Sequence, residues 1–239
     1  MEITQSMNQL GRAYQQISPE RLVLVVGLSG LLAGVVGILL AQDAYWIRFF
    51  DNLHWTAGTL MAAMFAWLGV RAAEADRISG LRWIAIGLSM YAVGQIVWDI
   101  QVLVGYEGIA SPSDLFYMWL GPCVGAGLLV EAFRLADRVQ RKTLLLDASI
   151  LAIAATTLIL VLYLPRRGDF PLLSLALMVA YPASLFTAAC IGLIAAPTLR
   201  LKFSWSYWLF LASLTMTGIC WMLWNSMILD GAAIDGTWF

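Results

Sequence analysis

The sequence predicts an all-α membrane protein, built as a polytopic bundle of transmembrane helices. Of the 239 residues, 61% are hydrophobic and only 12% are charged, and the mean hydropathy is +0.80. Soluble domains carry about 25% charged residues, so much of the usual water-facing charge is missing. Several apolar runs reach about 20 residues, the length of a helix that crosses a hydrocarbon core. The alternating segments of about 10 residues that are typical of a transmembrane β-barrel do not occur.

Residues 1–20 form a polar segment with a single apolar stripe. Five apolar residues recur at alternating spacings of four and three: Ile3, Met7, Leu10, Tyr14 and Ile17. This spacing places them on one face of a helix. We expect an amphipathic helix that lies in the membrane interface, with a short dimerising coil as the alternative. A cap residue, a proline and an acid at 18–20 then predict the start of the first span.

Seven apolar segments follow and form one transmembrane module at residues 21–239. The predicted spans cover residues 22–41, 53–72, 82–105, 114–133, 144–164, 171–196 and 203–229. In the first span, glycines recur every three or four positions, and Gly30 with Gly34 forms a GxxxG pair. Such a stripe allows close approach of another helix, either within the chain or from a second copy in a homodimer. In spans four and six, Pro122 and Pro182 predict kinks because proline removes a backbone donor.

The basic residues predict that the N-terminus is cytoplasmic. With this orientation, only Arg48, Arg166 and Arg167 of the 14 basic residues lie outside. Cytoplasmic loops of membrane proteins carry such an excess of Arg and Lys. The cytoplasmic basic residues are Arg12, Arg21, Arg71, Arg77, Arg82, Arg134, Arg138, Arg141, Lys142, Arg200 and Lys202.

Two parts of the chain can be aligned with a shift of 126 residues. The shift places Trp98-Asp99 on Trp224-Asn225, and span one on span five. A parallel repeat of four plus four spans would need an eighth helix after Phe239. We therefore expect the sequence to be cut from a longer chain whose next part returns to the cytoplasm.

Asp99 is the acidic residue placed well inside an apolar run. It lies six residues before Gly105, about 9 Å below the outer end of its helix. A carboxylate inside a span costs roughly 2.5–3.5 kcal/mol, so such a group faces a cavity or a partner. Tyr91 and Gln95 precede it at spacings of four and lie on the same helix face.

Polar residues of three further spans, His54, Asp114 and Asn225, are predicted at a similar depth near the outer surface. Convergent polar groups with aromatic walls indicate an outward-opening pocket for a small-molecule or lipid ligand. The alternative is that Asp99 is protonated and bonded to Asn225 or to a tyrosine hydroxyl, which would hold helices together. The candidate ligand-binding residues are Tyr91, Gln95, Trp98, Asp99, Asp114, Tyr117, Asn225 and His54.

Asp114 also has an interpretation of its own as part of a helix start. Ser111 as the cap, Pro112 at the first position and Asp114 in the first turn form a favourable N-terminus. His54 is the single histidine, and its alternatives are an interfacial hydrogen bond or a pH switch.

The residue types indicate no catalytic centre, no metal site and no cofactor. Cys123, Cys190 and Cys220 lie in apolar segments and form no CxxC pair, so we expect them to serve packing. Neither a metal-ligand spacing nor a phosphate loop, an HExxH motif or a Ser/His/Asp order is present. Without a basic run, nucleic acid is not an expected partner, and the lipid bilayer is.

Short motifs from the third span onward occur in the order of a recurrent bacterial membrane region. They are Trp98, Pro112-Ser113 with Asp114, Tyr117, Gly121-Pro122, Arg138 with Arg141 and Lys142, Leu146-Asp147-Ala148, Tyr181-Pro182, and the segment from Gly231 to Trp238. With these motifs the chain resembles the multi-span N-terminal membrane sensor region of bacterial GGDEF and EAL (cyclic-di-GMP) signalling proteins and of some histidine kinases.

The resemblance implies a sensory module in the bacterial inner membrane. Its eighth helix would pass a signal to a cytoplasmic GGDEF, EAL or kinase domain, which these residues do not include. Diguanylate cyclase or phosphodiesterase activity would belong to the longer parent protein. Two other functions compatible with the sequence are a small secondary transporter that uses Asp99 for proton or cation coupling, and a structural subunit of a membrane complex.

Overall fold

The computed structural model describes residues 18–106, 108, 110–199 and 204–231, and regular structure within these ranges is entirely helical. Seven helical segments of this described part are long and apolar enough to cross a membrane. The predictions of an all-α fold and of a polytopic membrane protein are therefore confirmed. The predicted interfacial helix at 1–20 and the predicted outer loop at 231–238 lie almost wholly outside the described residues.

Eight α-helices and one short 3₁₀ helix make up the described part of the chain. The helices are α1 (Pro19–Leu40), α2 (Ala44–Ala72), α3 (Ile78–Leu103), α4 (Asp114–Tyr117), α5 (Leu120–Leu135), α6 (Arg138–Tyr163), α7 (Leu172–Thr198) and α8 (Trp205–Leu229), with the 3₁₀ helix at Leu164–Arg166. Helices α4 and α5 together form the fourth span, and each other α-helix forms one span.

Two helices, α2 and α6, begin at least six residues earlier than the hydropathy pattern predicts, because polar caps decide their N-termini. Helix α2 starts nine residues before residue 53, and the Asp43 side chain accepts the backbone N–H of Tyr45 at 2.8 Å. Helix α6 starts six residues before residue 144. There, Asp137 accepts from the backbone of Gln140, and the Gln140 side chain accepts from the backbone of Asp137.

The fourth span is interrupted just before its predicted proline. Pro122 has no backbone N–H, so the carbonyl of Met118 cannot receive its usual helical hydrogen bond. A turn at residues 118–119 separates α4 from α5, in agreement with the predicted kink. By contrast, α7 continues as one helix through Pro182.

The helices pack in an order that leaves α7 near the centre. Helix α1 packs on α2, α2 on α3, α3 on α5 and α5 on α7, while α6 and α8 both pack on α7. The fourth span and α7 are the most buried spans, and Val124 of α5 and Ala188 of α7 lie in the main apolar core. Large apolar side chains on the outer faces of the other helices are exposed, as expected for contact with lipid.

The glycine stripe of α1 packs inside the chain. A Cβ atom at Gly30 would lie 2.7 Å from the Cβ of Ala57, and one at Gly34 would lie 2.9 Å from the backbone N of His54. Both distances are shorter than real Cβ contacts, so α1 and α2 approach each other at a separation that requires glycine. Of the two predicted uses of the stripe, the structure shows the one within the chain.

Candidate functional site

A hydrogen-bonded network, which we call the polar network, surrounds Asp99 near the C-terminal end of α3. The hydroxyl of Thr56, on α2, donates to Asp99 Oδ2 at 2.5 Å. The side-chain amide of Gln95, one turn earlier on α3, donates to Asp99 Oδ1 at 2.9 Å. Both carboxyl oxygens therefore have a donor, and the contact joins α2 to α3. Thr56 was not among the predicted site residues, although it is a polar residue in an apolar run at a similar depth.

The network continues from Gln95 to Tyr117. The Tyr117 hydroxyl donates to Gln95 Oε1 at 2.8 Å, so the Gln95 side chain acts as donor and acceptor at the same time. Gln95 is only 6% exposed, which makes these two bonds important for its burial. A Cβ atom at Gly94 would lie 2.8 Å from the Tyr117 ring, so this ring packs directly on the α3 backbone.

Three aromatic rings surround the ring of Tyr117. We call the four rings the aromatic cluster: Tyr91, Tyr117, Tyr181 and Trp221. The Tyr117 centroid lies 5.0 Å from that of Tyr91, 6.5 Å from that of Tyr181 and 5.8 Å from that of Trp221. Tyr181 and Trp221 are stacked at 4.6 Å. The cluster therefore connects the short helix α4 with α3, α7 and α8 through van der Waals contact and ring electrostatics.

Asp114 forms a second set of hydrogen bonds, beside the network around Asp99. Its Oδ1 accepts a short hydrogen bond from the Tyr181 hydroxyl, and its Oδ2 accepts the backbone N–H of Ser111 at 2.6 Å. With 9% exposure, the carboxyl group is enclosed between α4 and α7. Asp114 thus stabilises the local turn, as its predicted role at a helix start requires, and it also binds a neighbouring span.

The turn before α4 differs from its predicted form. Helix α4 begins at Asp114, so Ser111 is not the N-cap and Pro112 is not the first helical residue. The Ser111 hydroxyl is paired with that of Ser113 at 2.8 Å, and the Ser113 backbone N–H donates to Gln101 Oε1 at 2.9 Å. The bond to Gln101 attaches the turn to α3, and the helix starts at Asp114 instead of at the predicted Pro112.

Asn225 has a partner other than the predicted Asp99. Its side-chain amide donates to the backbone carbonyl of Met178 at 2.9 Å, and the residue is 2% exposed. Met178 lies four residues before Pro182, so its carbonyl lacks the helical donor that a non-proline residue would supply. Asn225 therefore satisfies a carbonyl that Pro182 leaves free. The predicted bond between Asp99 and Asn225 is wrong for this reason.

Two other predicted site residues lie apart from the network. The His54 Nδ1 lies 3.6 Å from Asp51 Oδ1 on the same helix, and its ring contacts that of Trp55 at 5.0 Å. Trp98 forms no ring contact with the aromatic cluster among the residues that the structure describes. The structure thus brings together five of the eight predicted residues: Tyr91, Gln95, Asp99, Asp114 and Tyr117.

Three partners of this site, Thr56, Tyr181 and Trp221, were not among the predicted ligand-binding residues. Trp221 lies one turn before Asn225 on the same helix face, and Tyr181 belongs to the Tyr181-Pro182 motif. Tyr181 could have been recognised because it precedes a proline in a span, where freed backbone groups favour polar neighbours. Within the described ranges, no group of three His, Cys, Asp or Glu side chains is arranged to hold a metal ion. The chemistry available at the site is hydrogen bonding by carboxyl, amide and phenol groups beside aromatic rings.

We expect Thr56→Val to destabilise the bundle by about 0.5–2 kcal/mol, because it removes a donor to the Asp99 carboxyl without changing the side-chain volume much. The measurement is the denaturation midpoint of the purified protein in mixed detergent and SDS. Thr143→Val is the matched control, since the exposed Thr143 hydroxyl donates only to the backbone of its own helix. Equal losses in the two variants would contradict a special role for the Thr56 contact.

Comparisons of the chain with protein-family models, with characterised proteins and with solved structures find no match. The polar network of Thr56, Asp99, Gln95 and Tyr117 and the aromatic cluster therefore provide the basis for a proposed function.

Proposed function

We propose that the chain is a membrane-embedded signal-input module, in which a change at its outer end alters the packing of several spans together. One observation carries the proposal. Tyr117 lies on a four-residue helix that is separated from α5, and its side chain contacts α3, α7 and α8. A displacement of α4 would therefore change contacts with three spans at once.

The Asp114 carboxyl provides a chemical point at which such a change could begin. Both of its oxygens already accept hydrogen bonds, one from Tyr181 and one from Ser111. A small-molecule or lipid ligand with hydrogen-bond donors would bind by replacing one of these partners. The exchange would release α4 from α7 or open the turn before α4. A ligand shifts the helix arrangement only to the extent that it binds the two arrangements with different affinities.

The aromatic cluster is the path by which the change would reach the last described helix. Trp221 of α8 stacks on Tyr181 and contacts Tyr117. Packed rings have discrete arrangements, so a small movement at one ring favours a shift of its neighbours. The motif resemblance supports a cytoplasmic GGDEF, EAL or kinase domain as the recipient of the signal, and the bacterial inner membrane as its location.

The proposal is tested by Tyr117→Phe in the natural gene. The substitution retains the ring but removes the donor to Gln95, which is worth about 1 kcal/mol. That energy shifts a two-state equilibrium about fivefold. We expect a severalfold change in cellular cyclic-di-GMP, measured by mass spectrometry, or in autophosphorylation of a kinase output. Tyr45→Phe is the control, since Tyr45 is 60% exposed.

Two results would overturn the proposal. One is that neither deletion of the gene nor Tyr117→Phe changes cyclic-di-GMP or protein phosphorylation. The other is solute accumulation in proteoliposomes that is lost in Asp99→Asn, which would support the transporter function instead. If deletion of the gene changes cyclic-di-GMP or protein phosphorylation, but Tyr117→Phe and Tyr45→Phe give equal levels, the Tyr117 hydrogen bond does not take part in signalling.

A further inference from the structure

A cleft of about 420 Å³ lies at the opposite end of α3 from the polar network. It is lined by Ala75, Ile78, Ser79, Arg82, Trp83 and Ile86. Ala75 lies in the turn before α3, and the other five positions recur at helical spacing, so they share one face of the first three turns of α3. The predicted orientation places this end of α3 on the cytoplasmic side of the membrane.

The cleft face of α3 is distinct from the face that packs on α5. A Cβ atom at Gly80 would meet Glu131, and one at Gly87 would lie 2.8 Å from the Cβ of Cys123, so the glycine face is occupied by α5. On the cleft face, Trp83 is 42% exposed and Ile86 is 38% exposed. The cleft is therefore open to the surroundings of the bundle.

The basic side chain of the cleft wall has no ion-pair partner within the described part of the chain. Arg82 is exposed and forms no ion pair with a described residue. Arg134, at the same end of the bundle, contacts Asp76 at 2.6 Å and Glu131 at 3.4 Å. Two acids, Glu74 and Asp76, flank Ala75 of the cleft. Asp76 is paired with Arg134, and the exposed Glu74 forms no ion pair with Arg82.

We propose that this cleft binds an anionic phospholipid, with Arg82 and the Ser79 hydroxyl on its phosphate and with Trp83 and Ile86 along its acyl chain. Ser79 and Ile86 are seven residues apart, about 10 Å along the helix axis. Along α3, the polar side chains of Ser79 and Arg82 precede the apolar side chain of Ile86, and the apolar Ala75 and Ile78 flank the polar end. The cleft thus has a polar end and an apolar end, as a lipid does. Basic pockets on cytoplasmic helix ends bind anionic headgroups, and tryptophan favours the headgroup level.

A free phosphate would use only the polar end of the cleft, whereas a lipid uses both ends. For this reason we assign the site to a lipid. The assignment does not depend on the signalling function proposed above, because it rests on residues outside the polar network and the aromatic cluster.

The test uses the full chain in nanodiscs of phosphatidylcholine, with and without phosphatidylglycerol. Phosphatidylglycerol is expected to raise the thermal midpoint and to be retained in native mass spectra. Arg82→Gln should lower the apparent affinity of the protein for phosphatidylglycerol about fivefold, the effect of one basic residue near an anionic surface.

Arg138→Gln is the control, since Arg138 is exposed on the same predicted side and lies outside the cleft. Both positions are exposed, so we expect both variants to fold.

A second variant, Trp83→Leu, tests the apolar half and should also weaken retention of phosphatidylglycerol. Three outcomes would overturn the proposal. Phosphatidylglycerol could leave the parent unchanged, or Arg82→Gln and Arg138→Gln could lose the effect equally, which would indicate general surface charge. In the third outcome, inorganic phosphate in phosphatidylcholine nanodiscs would stabilise the parent as much as phosphatidylglycerol does.

Discussion

Gly121→Ala is expected to destabilise the protein by about 1–3 kcal/mol, because a single added carbon overfills the contact between α5 and α7. A Cβ atom at Gly121 would lie 2.7 Å from the backbone carbonyl carbon of Ser184. A backbone atom in the middle of a transmembrane helix cannot move away without shifting the helix. The two most buried spans would therefore separate, and the short helix α4 that precedes Gly121 would move with them.

Gly69→Ala is the matched control for this prediction. Gly69 also lies inside a helix, but a Cβ atom there would meet nothing within 4 Å. Alanine favours helix over glycine by about 1 kcal/mol, so this variant should be neutral or slightly stabilised. SDS denaturation midpoints of the two purified variants provide the measurement. Gly121→Ala should lower the midpoint, whereas Gly69→Ala should leave it unchanged or raise it. A stabilised Gly121→Ala would mean that α5 and α7 are not in such close contact.

Asp114→Ala is expected to cost about 2–5 kcal/mol, because it leaves two enclosed donors without an acceptor. These donors are the Tyr181 hydroxyl and the Ser111 backbone N–H. A buried donor that loses its partner costs about 1–3 kcal/mol. The loss should appear as a lower denaturation midpoint and as faster proteolysis of the loop between α3 and α4.

A double-mutant cycle separates the Tyr181 contact from the rest of this effect. Tyr181→Phe retains the ring that stacks on Trp221 and removes only the hydroxyl. If the hydrogen bond is formed in the membrane, Asp114→Ala and Tyr181→Phe should show a coupling energy between about 0.5 and 2 kcal/mol. Asp169→Ala, in an exposed turn, is the control and should change stability by less than about 0.5 kcal/mol. Strict additivity would show that the Asp114 and Tyr181 side chains do not interact.

The candidate site was only partly accessible to sequence reasoning. Spacing along α3 placed Tyr91, Gln95 and Asp99 on one face, because a helix determines which of its own residues are neighbours. It could not identify Thr56 as the partner of Asp99, since that contact depends on the rotation of α2 about its axis. Each helix turns one face toward its neighbours, and a highly apolar helix has little periodic contrast to indicate which face that is.

The position of Asn225 illustrates the same limit. Its predicted depth, similar to that of Asp99, suggested that the two polar groups meet. In the structure, Asn225 instead donates to the Met178 carbonyl, which Pro182 leaves without a helical donor. In a hydrocarbon environment every polar group needs a partner, and the nearest free acceptor in space determines which one it finds.

The all-α class, the seven spans and the break near Pro122 were predictable from the amino-acid order, since apolar length and a missing backbone donor act locally. Tertiary structure alone decided that Tyr117 contacts α3, α7 and α8, that Asp114 binds Tyr181, and that Asn225 serves a carbonyl of α7. The reason is physical. Local rules act within about one helical turn, whereas these contacts join residues on different helices, whose rotation and depth are set by the packing of the whole bundle.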